Sequence, residues 1–119
     1  MKDRKSQFED LARHIRSKSQ QDALIWTPSN YINSYQTPLG NGVVLITHNE
    51  DEVSYGNEPI PEFCLAFINE RGETIHSIEA FTKSDPQYEL LKDIYYSAYD
   101  SYMRTDETYR SMMDAIMKL

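Results

Sequence analysis

The chain has 119 residues, 39% apolar and 26% charged, with one Trp, nine Tyr and four Phe, a composition that supports one folded domain around a single core. Its formal charge of −7 argues against a nucleic-acid binder that works by neutralising phosphates. A lone cysteine excludes an internal disulfide, no run approaches the ~20 apolar residues of a membrane span, and the start MKDRKSQFED lacks a signal-peptide core, so a cytoplasmic protein with no membrane contact is expected.

The charge is uneven. Residues 1 to 18 carry six Lys/Arg against three Asp/Glu, and the remainder carries six against 16. The basic stretch coincides with Phe8, Leu11, Ala12 and Ile15 at i, i+3, i+4 and i+7, which predicts an amphipathic helix over about 3–19. No Gly or Pro marks its end. The basic face of this helix is expected to pair with the acidic body of its own domain.

From residue 23 to 78 the pattern turns to short β-rich runs. ALIWT (23–27) ends at Pro28, and NSYQTPL (33–39) leads through Gly40-Asn41-Gly42 into VVLITH (43–48), with Asn-Gly as a strong hairpin signal. EFCLAFIN (62–69) and ETIHSIEAF (73–81) flank the turn at Glu70-Arg71-Gly72. VVLI and FCLAFI are apolar at both parities, which predicts central strands covered on both faces, with Cys64 as a small buried hydrophobe. Should helices cover only one face, the other needs a dimer mate. The connection HNEDEVSYGNEPIPE carries five carboxylates, Glu50, Asp51, Glu52, Glu58 and Glu62, and its length marks it as a candidate functional loop.

The last third returns to helix. Ser84 or Asp85 supplies a cap before Pro86, predicting a helix over about 86–103, and Thr105 with Asp106 and Glu107 opens a second one. At about 100° per residue, Tyr88, Leu91, Tyr95, Ala98, Tyr99 and Tyr102 share one stripe expected to face the sheet. Tyr96 and Met103 fall at its margin and are the candidate interface residues of this helix, since Tyr and Met are favoured at contact surfaces. The fold class is therefore α+β: an N-terminal helix, an antiparallel meander of four to five strands and two C-terminal helices packed on the sheet.

Chemistry-bearing motifs are sparse. His14, His48 and His76 lack partners at metal-ligand spacing, and neither HExxH nor CxxC occurs, so no metal and no cofactor is expected. His48 with Glu50, Asp51 and Glu52 is the most suggestive local group, although its spacing is not that of a calcium loop. Cys64 in an apolar run reads as an inert thiol, LGNG joins strand to strand without a phosphate-binding helix, and alternation along the strand keeps His76, Ser77 and Glu79 from converging. No catalytic residue is assigned.

The N-terminal helix, the Trp-containing short strand, the hairpin Tyr35-Gln36-Thr37-Pro38-Leu39-Gly40-Asn41-Gly42, the Asn69-Glu70-Arg71-Gly72-Glu73 turn and the Tyr-rich tail together resemble small bacterial α+β proteins of unknown function. The resemblance implies a fold and carries over no functional residue. Three functions are ordered. First is a non-catalytic protein-interaction module, expected to self-associate as a homodimer. Second is an acidic inhibitor or immunity-type protein that binds a basic partner through one acidic patch from Glu50 to Glu79, in which Glu50, Asp51 and Glu52 are the loop residues. Third is a small enzyme with a site assembled in space around His48 or His76.

Overall fold

A computed structural model describes residues 3–50 and 59–119. In chain order the elements are α1 (Arg4–Gln20), β1 (Thr27–Pro28), β2 (Ser34–Leu39), β3 (Gly42–His48), β4 (Phe63–Ile68), β5 (Thr74–Ala80), α2 (Tyr88–Met103) and α3 (Thr105–Met117). The strands form one antiparallel sheet in the order β1-β2-β3-β4-β5, the meander that consecutive hairpins produce. The α+β class, the N-terminal helix, the five strands and the pair of C-terminal helices agree with the sequence reading.

Local chemistry accounts for the boundaries. The Asp3 carboxylate accepts from the Ser6 amide at 2.8 Å and caps α1. The end of α1, unmarked in the sequence, is a left-handed stop built without glycine: Asp22 has φ 60°, and the Ala23 and Asp22 amides donate to the Lys18 and Ser19 carbonyls. Between β2 and β3, Leu39 pairs with Gly42 across a two-residue turn in which Gly40 has φ 61°. Gly42 is required for a different reason, because a Cβ there would lie 2.6 Å from the Ile68 carbonyl oxygen of the adjoining strand. Of the run ALIWT, only Thr27 joins the sheet, with Pro28 on the edge. Trp26 turns inward, and its indole N–H donates to Ser19 Oγ at 3.1 Å. Asp85 does not cap α2; its carboxylate accepts from the Phe81 and Thr82 amides and shapes the approach to the helix.

The core lies on one face of the sheet. Tyr35 and Thr37 of β2, Val44, Ile46 and His48 of β3, Phe63, Leu65 and Phe67 of β4, and Ile78 and Ala80 of β5 are buried and aligned by register. Helix α2 crosses this face in contact with all five strands and seats Tyr88, Leu91, Ile94, Tyr95 and Ala98 on it. Helix α1 packs beside α2, inserting Ala12 and Ile15 and stacking Phe8 against Phe67 and His76 with ring centroids 4.7 and 4.6 Å away. Each fully buried Ile or Leu here contributes ~1.5–3 kcal/mol by leaving water.

The opposite face departs from expectation. Its centre consists of Val43 and Leu45 on β3 and Cys64, Ala66 and Ile68 on β4, all half-buried, and no described helix lies on it. The two central strands are apolar at both parities, yet among the described residues only one face is covered. Cys64 accordingly sits on this open face and not in the core. The two C-terminal helices also bury different amounts of surface. Whereas α2 carries the packing on the sheet, α3 buries no residue and has its main contact with α2. Arg104, with φ 55°, is the single left-handed residue that separates them. Among the described residues, no helix is long and apolar enough to cross a membrane.

Candidate functional site

The most organised polar group lies where the long loop leaves and rejoins the sheet. His48 ends β3 opposite Phe63 at the start of β4, and the loop ends are tied together by the Asn49 amide donating to the Glu62 carbonyl at 2.7 Å and Asn49 Nδ2 donating to the Pro61 carbonyl at 2.8 Å. Glu62 then reaches inward. One carboxylate oxygen, Oε2, accepts from the Tyr88 hydroxyl at 2.9 Å and lies 3.2 Å from His48 Nε2. The imidazole is stacked on Phe63, with centroids 4.4 Å apart, and meets the rings of Tyr95 and Tyr96 at 5.0 and 6.1 Å. Its Nδ1 is buried and has no hydrogen-bond partner among the described residues.

The chemistry of this group follows from its surroundings. Burial, then the hydrogen bond to Glu62, pushes the Tyr88 hydroxyl up to about 12, so it is a donor at neutral pH and neither an acid nor a nucleophile. Burial also pushes Tyr95 up to about 12, with the negative charge of Glu50 among the further causes. On the open sheet face, burial pushes the Cys64 thiol up to about 11, and Glu79 on the neighbouring strand adds to it. A thiol so protected has little thiolate character. Glu62 therefore acts as a latch that joins the loop base to α2.

The sequence-derived candidates are partly gathered here. Tyr96 is 44% exposed at the rim, its ring 5.2 Å from Tyr95, and Glu50 is close enough to Tyr95 to act on its hydroxyl. Asp51 and Glu52 lie outside the described residues. Met103, 50% exposed, stands two turns further along α2 from Tyr96. The sequence groups His48 with Glu50, Asp51 and Glu52, whereas its partner among the described residues is Glu62, 14 residues away and brought near by strand pairing. Only a β3–β4 register could have revealed that pair.

Tyr99 and Tyr102 correct the predicted stripe. They are 38% and 45% exposed, and their rings meet that of Tyr35 in the core at 6.3 and 5.8 Å. The last turns of α2 reach β1 and β2, where the sheet ends, so the stripe runs out of sheet before it runs out of tyrosine. His76, stacked on Phe8, lines a cleft of about 390 Å³ with Lys5, Glu9, Glu79 and Asp85, and no group of three metal-ligating side chains occurs among the described residues.

The acidic stretch read as one patch is divided by the fold. Glu50 and Glu62 stand at one end of the β3–β4 pair, while Glu70 and Glu73 flank the turn at the other end, a strand length of ~20 Å away. Comparison with protein-family models, with curated proteins and with solved structures finds no match to this chain.

Proposed function

We propose that the protein is a non-catalytic interaction module that self-associates through the open face of its sheet. The observation that carries this reading is the one-sided coverage: α1 and α2 occupy one face, while Val43, Leu45, Cys64, Ala66 and Ile68 form a contiguous apolar strip on the other. These five residues are uncharged and adjoin one another across the β3–β4 register, which sets the strip apart from singly scattered apolar residues. Burial raises the Tyr88 and Tyr95 hydroxyls further from neutrality, the opposite of the tuning an acid–base group needs, which favours a structural role for the polar group they belong to.

Sedimentation velocity across a wide concentration series tests the reading, with Leu45→Lys as the comparison. Leu45 is half-buried on the open face, so the charge is tolerated by the monomer and excluded by the interface. The parent is expected to move from monomer to dimer as concentration rises, and the variant to remain a monomer. A parent that stays monomeric throughout overturns the proposal.

A further inference from the structure

Among the described residues two apolar surfaces are left uncovered, and each has the shape of the other's missing half. Helix α3 places Tyr109, Met112, Met113 and Ile116 within about 100° of its circumference, and these side chains are 64%, 66%, 42% and 58% exposed. Arg110, Asp114 and Lys118 lie toward the other side, so the helix has the one-sided pattern of a packed element while none of its residues is buried. The radius of gyration, 16.3 Å, records the same arm. A compact chain of this length would have about 13.5 Å.

We propose that α3 of one copy docks on the open sheet face of a second copy, and that the second copy returns the same contact. The proposal rests on the self-association reading of that face and names its occupant.

Dimensions support the match. The apolar strip spans Cys64 to Ile68 along β4, ~13 Å, and Val43 to Leu45 along β3, ~7 Å, while the stripe from Tyr109 to Ile116 rises ~10 Å on a helix ~10 Å wide, enough to cover the two central strands. Area distinguishes this arrangement from simple face-to-face contact. Five half-buried residues expose only ~250 Å² per copy, so two sheet faces alone bury ~500 Å², below the ~1,000 Å² a specific interface needs. Adding ~400 Å² from each α3 and counting both reciprocal contacts gives ~1,300 Å², within the usual range.

The contact must be made between copies. Helix α2 lies on the covered face, and reaching the opposite face of the same sheet means crossing ~20 Å from one packed layer to the other. Arg104 alone links the two helices, whereas that crossing takes about six extended residues.

Cys64, the only cysteine, provides the test. Met112→Cys, Met113→Cys and Ile116→Cys are made singly in the full chain, with Ser111→Cys on the charged side of α3 as the control, and each is oxidised with copper-phenanthroline at mildly alkaline pH, which offsets the low thiolate character of Cys64, and run on a non-reducing gel. A disulfide requires Cα atoms within ~7 Å. At least one of the three stripe variants is expected to give a reducible covalent dimer that disappears on adding Cys64→Ser, with none from the control. A link that survives Cys64→Ser places α3 against α3 and overturns the proposal, as does a fast-migrating monomer with an internal disulfide. If light scattering shows a dimer that none of the stripe cysteines traps, α3 docking falls and self-association through the sheet stands. A monomer at every concentration removes both.

Discussion

Replacing Glu62 with Ala removes the latch at the loop base, and its effect can be worked from two contacts. The carboxylate accepts from the Tyr88 hydroxyl at 2.9 Å and pairs with His48 Nε2 at 3.2 Å, with one third of the side chain exposed. Hydrogen bonds to a charged group are worth ~1.5–3 kcal/mol when sheltered, and partial exposure lets water replace some of this, which leaves ~1 kcal/mol for each. The variant should lose ~2 kcal/mol. Unfolding entropy of ~2.1 cal/mol/K per residue makes ~250 cal/mol/K for this chain, so the melting temperature should fall by ~8 °C. Urea denaturation of the parent, Glu62→Ala, Tyr88→Phe and the double variant then yields a coupling energy of ~1 kcal/mol. If the two substitutions add to within ~0.3 kcal/mol, Glu62 and Tyr88 do not act as a unit and the latch is refuted.

Three more outcomes are expected. Because the folded chain holds Tyr88 and Tyr95 protonated up to about 12, above the ordinary 10, it binds more protons than the unfolded chain between those values. Their contribution is complete below pH 10 and is lost as the pH rises toward 12; phenolate absorbance followed with circular dichroism should show a late component that coincides with unfolding and shrinks in Tyr88→Phe and Tyr95→Phe, and its absence would contradict the burial of these hydroxyls. Gly42→Ala presses a Cβ against the Ile68 carbonyl and should cost ~1–3 kcal/mol in urea denaturation, whereas an unchanged midpoint would show that the strands separate freely there. Ser19→Ala leaves the indole N–H of the buried Trp26 without its acceptor, which should cost ~1–2 kcal/mol and shift the emission of the only tryptophan; unaltered emission and stability would deny the hydrogen bond.

What the sequence disclosed was set by the range of each interaction. The Gly40-Asn41 turn, the Asn69 turn and the amphipathic α1 are decided by neighbours a few residues apart, and they are legible in the chain as they stand in the fold. The stop at Asp22 was missed because a non-glycine residue takes the left-handed conformation there. Apolar residues at both parities made β3 and β4 central, but the pattern is the same whether the second face is covered by the chain itself or by another copy, so coverage was not readable. The tyrosine stripe fixed the orientation of α2, and Tyr95 followed it into the core, while the place where the sheet ends beneath Tyr99 and Tyr102 depends on strand count and helix direction together. The pairing of His48 with Glu62 was out of reach for the same reason, since it arises from a register.

The central claim is that the bare sheet face is a contact surface between copies, and sedimentation velocity of the parent beside Leu45→Lys tests it most directly. The parent is expected to form a concentration-dependent dimer and the variant to stay a folded monomer with unchanged circular dichroism. A parent that remains monomeric throughout, or a variant that dimerises as well as the parent, would contradict it.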